Sequence, residues 1–228
     1  MGRRGGALWI VAIVLGAVTF VAPARGGGEP EVVRQAKLAA LVDRIERRHE
    51  KHDTFAARFT QLVTVRAHDE ATERRGEVAF KRPGKVSFRY DDGDWAVSDG
   101  KRLRAYVAAH KRVYDMEAKR SLYPAALAFL KMKGKLAELF RLRRIATHDQ
   151  RAAGGAVLEA VPKAASPSFA KMLLFVDEKT GEVLRVLVVD GQGNTNRFVF
   201  ERPVVGKPLS DARFRAPKTP KGAKVVKP

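Results

Sequence analysis

Two histidines three residues apart, His49 and His52, are the first residues in the chain whose type and spacing could hold a metal or move a proton. They miss the four-residue spacing of a zinc-binding helix, and no third ligand is suggested nearby. The helix end that carries them reads as exposed. Asp91-Asp92-Gly93-Asp94 gathers three carboxylates, but in a turn. Ser98-Asp99-Gly100 lacks the Gly-x-Ser-x-Gly frame of a nucleophile elbow. Gly191-Gln192-Gly193-Asn194-Thr195 has no third glycine and runs into strand-like residues, so it reads as a hairpin turn and not a dinucleotide loop. With no cysteine in the chain, thiolate ligands and thiol nucleophiles are excluded. The expectation is a protein that is not an enzyme, with no catalytic residue, metal or cofactor.

The compartment is read from the N-terminus. Arg3 and Arg4 precede an apolar run of fifteen residues, Ala7 to Val21, and Ala22-Pro23-Ala24 supplies small residues at the −3 and −1 positions of a cleavage site. Residues 1–24 are therefore expected to be a cleaved signal peptide, with an uncleaved anchor as the alternative. The run is shorter than the roughly twenty residues a membrane span needs. Residues 25–228 are expected to form one domain, exported, monomeric and free in its compartment. About 200 residues can bury a core that needs no disulfides. The formal charge of +19 points to anionic surfaces, either phospholipid headgroups or acidic proteins, with a general bias in composition as the alternative. Nucleic acid is not expected, since no helix or aromatic pattern typical of its binders is present.

The elements follow from periodicity. Val32 to His52 is helical: Val33, Ala36, Leu38, Ala40, Leu41 and Ile45 form one stripe and arginines take the other face. Alternation from Thr54 to Arg66 predicts a first strand. Further strands are predicted near 76–81, 85–91, 95–98, 102–108 and 112–118, separated by Arg-Pro-Gly and Asp-Gly turns. Tyr123 to Arg143 reads as helical. Strands resume at 156–161, 169–177, 182–190 and 197–201, and the Pro- and Lys-rich tail reads as extended. The plan is α+β: an antiparallel sheet of about eleven strands, curled into an incomplete, unclosed β-barrel.

Several strands do not alternate cleanly. In Phe169 to Asp177 and Glu182 to Asp190 both faces are apolar. Only two helical segments are available to cover so large a sheet. If it curls, its concave side holds either the protein's own side chains or a guest with flexible apolar chains.

Phe55-Ala-Ala-Arg-Phe-Thr-Gln61 after an amphipathic helix, Lys81-Arg82-Pro83-Gly84 and Ser98-Asp99-Gly100-Lys101 come in an order and spacing that resembles the periplasmic lipoprotein-carrier family of the LolA type. The resemblance runs nearly the length of the mature chain, with Phe88 where tryptophan is common. It implies a concave apolar face lidded by helices, with residues 122–143 as a helical lid insertion. The lipid-binding cavity would be lined by Phe59, Val78, Phe80, Val86, Phe88, Tyr90 and Leu103, with Leu127, Phe129 and Leu130 from the lid. Arg82 would lock that lid by hydrogen bonds to its backbone carbonyls. The implied role is a chaperone that carries acylated lipoproteins across the periplasm, from an inner-membrane lipoprotein-releasing transporter to an outer-membrane receptor. A lipid- or glycolipid-binding sensor on the same fold is the alternative.

Overall fold

The computed structural model describes residues 29–67, 70–118, 136–145, 155–166 and 169–227. The expected signal peptide and residues 119–135 of the chain, with Leu127, Phe129 and Leu130, lie outside them. Helix α1 spans Glu31–Glu50. Six strands follow: β1 (Thr54–Val65), β2 (Glu70–Lys81), β3 (Lys85–Tyr90), β4 (Trp95–Ser98), β5 (Arg102–Val107) and β6 (Arg112–Glu117). A single helical turn, α2 (Leu136–Leu139), leads into β7 (Phe140–Ile145), β8 (Gly155–Pro162), β9 (Lys171–Asp177), β10 (Val183–Val189) and β11 (Thr195–Val205). A 3-10 turn at Asp211–Phe214 and a short β12 (Lys224–Val226) complete the chain.

The twelve strands of the described residues form one sheet in the order β12-β6-β5-β4-β3-β2-β1-β11-β10-β9-β8-β7. Every pairing is antiparallel except β12 on β6. Two meanders, β1–β6 and β7–β11, join where β1 pairs β11. The described ends, β12 and β7, are not paired with each other, so the barrel is unclosed.

Three differences from the sequence reading bear on the site. Residues 140–143, expected to be helical, belong to β7: Phe140 and Leu142 alternate with Arg141 and Arg143, a period of two that suits half-burial against β8. β2 begins at Glu70, six residues before the predicted start; its polar first half pairs with β1 along the full ladder but carries no apolar signal. His49 is buried, not exposed, at 3% of its surface. It sits four residues beyond Ile45, which is four beyond Leu41, so the imidazole continues the apolar stripe of α1. The first turns of the helix stay open, with Val32 and Val33 exposed.

The main core occupies the concave side. One cluster of buried residues joins Leu41, Val42 and Ile45 of α1 and Leu136 of α2 to inward-facing residues from β1–β5 and β7–β11. A second, small cluster lies on the convex side, where Trp95, Val97 and Val113 are covered by Ala216 and Ala223 of the tail. That cover explains why β4 is apolar on both faces.

Candidate functional site

β3 projects Val86, Phe88 and Tyr90 onto the concave face, beside Val78 and Phe80 of β2 and across from Leu103 of β5. Phe59 of β1 belongs to the same cluster. All seven predicted strand residues are buried, each at 7% exposure or less. Their rings touch: Phe59 lies 5.6 Å from Phe88, 5.4 Å from Tyr90 and 5.8 Å from Phe198, within the range of favourable edge and tilted contacts. Phe55 and Phe200 extend the patch, 5.3 Å apart. The face is buried in this structure.

The sequence reading missed half of this face. Phe198 and Phe200 of β11, Met172, Leu174 and Val176 of β9, and Val183, Val186 and Val188 of β10 all enter the cluster. Phe198 and Phe200 stand at alternating positions and were legible. In β10 a bulge between Val183 and Arg185 changes parity, so Val183 and Val186 both point inward while Leu184 is exposed. No alternation count finds that face.

The apolar floor ends in polar groups at one rim. Gln61 donates to Asn196 Oδ1 at 3.0 Å. Arg74 stacks over the Tyr90 ring at 3.8 Å and forks onto Asp92, at 2.9 Å, and onto Asp94, at 2.8 Å. Hydrogen bonding to Arg74 holds the Asp92 carboxyl below its usual range.

Arg82 stands at the opposite end of β3, in the turn from β2. Its Nη2 donates to the His49 carbonyl at 3.0 Å, in the last turn of α1. Its backbone N–H donates to the Asp53 carbonyl at 2.8 Å. A guanidinium there satisfies a carbonyl with no partner inside its helix and sits at the negative end of the helix dipole. Among the described residues, Arg82 thus bonds to α1, a helix that packs on the concave face through Leu41, Val42 and Ile45.

Three further polar contacts among the described residues tie α1 to its surroundings. Arg44 Nη1 donates to the Glu178 carbonyl, and Arg48 pairs with Glu182 at 3.1 Å, both on the β9–β10 hairpin. Glu46 accepts the Leu136 backbone N–H of α2 at 2.9 Å. The hairpin comes close because residue 181 is glycine: a Cβ there would lie 2.6 Å from the Arg44 carbonyl oxygen. A recess of about 240 Å³ beside this anchor is lined by Lys37, Ala40, Leu41, Arg44, Arg144 and Glu178.

His49 lies between these anchors and the core. Burial, then the positive charges of Arg48, Arg82 and His52, push its pKa down to about 4, so it is neutral at pH 7. The candidate catalytic groups do not converge on it. Asp99 accepts the backbone N–H groups of Lys101 and Arg102, Ser98 Oγ accepts that of Gly100, and Asp190 accepts those of Gln192 and Asn194, so each serves its own turn. Among the described residues, no three of the histidines, aspartates and glutamates are arranged so that they could hold a metal ion.

The arrangement is a curved apolar face under a helix held by polar clamps, and comparison with known proteins points the same way. The chain is 27% identical over 217 residues to an outer-membrane lipoprotein carrier protein of Azotobacter vinelandii, covering 94% of this chain and 96% of that protein. It is 25% identical over 223 residues to a protein of the same name from Pseudomonas entomophila, covering 96% of each. An uncharacterized conserved protein from Thermus thermophilus shares the fold at a TM-score of 0.50 and 16% identity, over 83% of this chain and 98% of that one. Residues 50–217 match the family described as outer membrane lipoprotein carrier protein LolA, and the chain belongs to that family.

Proposed function

We propose that the protein is a non-catalytic periplasmic chaperone that takes the acyl chains of lipoproteins onto its concave face and carries them from the inner to the outer membrane. Residues 1–24 direct export and residues 25–228 form the carrier. It receives cargo from an inner-membrane lipoprotein-releasing transporter and yields it to an outer-membrane receptor. The observation that carries this reading is the contrast between face and cover. The face is apolar across ten strands, yet α1 is fastened over it by Arg82, Arg44, Arg48 and Glu46 through polar bonds that can be remade.

The magnitudes suit a shuttle. Seating Leu41, Val42 and Ile45 stabilises the closed form by about 5–8 kcal/mol in total. An acyl chain contributes about 0.8 kcal/mol per methylene, so roughly ten methylenes match the helix they displace. Handover needs no chemical step.

The test is to purify the mature protein from the periplasm of its host and identify what is bound by mass spectrometry. Triacylated proteins, released on adding an outer-membrane receptor, are the expected result. Free lipids without protein would replace this reading with a lipid-binding sensor, and an empty protein that leaves lipoprotein sorting intact when depleted would overturn it.

A further inference from the structure

The tail carries a cation at every third position: Arg215, Lys218, Lys221, Lys224 and Lys227, with no acidic residue after Asp211. All five are exposed, whereas Ala216, Pro217, Pro220, Ala223 and Val226 between them are half-buried. Ala216 and Ala223 rest on Trp95, Val97 and Val113, which fixes the tail to the convex face and turns its charges outward. β12 then lies parallel on β6, Lys224 beside Arg112, and the Lys224 N–H donates to the Lys111 carbonyl at 2.9 Å. Lys111 and Arg112, both exposed, bring the array to seven. Asp115 of β6 is held by Arg102 and Arg104, so it does not neutralise the array, and no ion pair among the described residues includes any of the seven.

We infer that this C-terminal edge of the sheet is a docking surface for an anionic phospholipid bilayer. Five of the seven cations are lysines, compact point charges on flexible stems, suited to a fluid field of phosphates. An acidic protein partner would favour planar arginine forks and a shaped apolar centre, and the array contains no aromatic residue. Val225, exposed at the outer strand, adds apolar surface at the same edge. The convex side would meet the membrane while α1 stays free on the concave side. Docking at this edge does not depend on whether the concave face carries lipoproteins.

The test is co-sedimentation of the mature chain with vesicles of phosphatidylethanolamine and phosphatidylglycerol, and with phosphatidylcholine alone. Binding to the anionic vesicles at low salt, its loss at 1 M salt and its absence on neutral vesicles are expected. Each cation near an anionic leaflet raises binding about fivefold, so removing four lowers it roughly six-hundredfold. The variant combines Lys218→Gln, Lys221→Gln, Lys224→Gln and Lys227→Gln, with circular dichroism to confirm the fold. A control with equal charge loss combines Lys51→Gln, Lys163→Gln, Lys179→Gln and Lys207→Gln, all exposed and outside the tail array, and should retain most of the binding. Equal loss in the two variants would overturn the assignment to this edge. Equal binding to neutral vesicles, or binding to polyglutamate but not to anionic vesicles, would overturn the membrane as partner.

Discussion

Phe59 and Tyr90 touch edge to face, ring centroids 5.4 Å apart, although a whole strand lies between them. β2 presents Gly76 at that point, paired with Phe59 on one side and Tyr90 on the other. The missing side chain lets two rings from β1 and β3 meet above it and continue the aromatic floor unbroken.

Gly76→Ala should therefore be costly. A Cβ at this position would fall 2.2 Å from the Arg89 carbonyl oxygen and 2.9 Å from the Tyr90 Cα, both backbone atoms that move only with the β2–β3 ladder. A loss of about 2–4 kcal/mol is expected. Urea denaturation measures it, and an unchanged midpoint would show that the ladder yields without cost.

Arg82→Leu should loosen α1 at its C-terminal end. Removing one charge-assisted bond to the His49 carbonyl costs about 1.5–3 kcal/mol, which raises the population of the undocked helix roughly ten- to a hundredfold. Hydrogen exchange in the last turn, Arg47–Glu50, reports this directly. Closure competes with cargo, so weakening it should also leave lipoprotein on the carrier in a purified transfer assay. Normal release together with unchanged exchange would remove Arg82 from that role.

The His49 imidazole predicts acid sensitivity in a defined window. Its folded pKa of about 4 lies below the ordinary value of 6.5, so the folded state binds fewer protons than the unfolded chain between these limits. The stability is complete above pH 6.5 and falls as pH drops through 4, by about 1.4 kcal/mol per pH unit within the window. Arg48, Arg82 and His52 are the positive neighbours that oppose protonation. His49→Leu continues the stripe of Leu41 and Ile45 and should flatten the profile between pH 6.5 and 4. Both proteins should still weaken below about pH 4. There Asp99, its pKa lowered by the Arg102 and Lys101 backbone N–H groups, takes up its proton. Parallel stability curves for the two proteins from pH 7 to 4 would contradict the assignment.

The fold was legible where each strand had one wet face. Phe55, Ala57 and Phe59 against Arg58 and Thr60 placed β1 and its inner side, and the Asp-Gly turns placed the hairpins. It was hidden where a second cover or a shift of parity intervened. Trp95 and Val97 are apolar because the tail lies on them, a contact across more than a hundred residues. Val183 and Val186 share a face only through a bulge. Glu70–Arg75 is strand by ladder bonding with β1 and has no apolar residue but Ala71 to announce it. His49 looked like a surface histidine because its burial depends on how deeply α1 settles, which its pattern of charges does not reveal. Phe59, Val78, Phe80, Val86, Phe88, Tyr90 and Leu103 lie in one buried cluster, and which helix Arg82 contacts needed the structure.

Phe88 and Val97 separate the two faces of the sheet by experiment. Phe88 pairs with Ala96, the neighbour of Val97, so the two sites lie almost side by side but on opposite surfaces. Phe88 is buried against Phe59 and Phe198 on the concave side, and Val97 against Trp95 and Val113 on the convex side. Phe88→Leu and Val97→Ala should each cost about 1–3 kcal/mol, because each removes atoms from a close-packed cluster. If acyl chains enter the concave face, only Phe88→Leu should change the affinity for a fluorescent fatty-acyl probe, since it alters surface that the guest must touch. Val97→Ala should leave that affinity within error while lowering the denaturation midpoint comparably. Equal shifts in probe affinity would mean that binding tracks general loosening of the fold, and the concave face would lose its claim to be the acyl site.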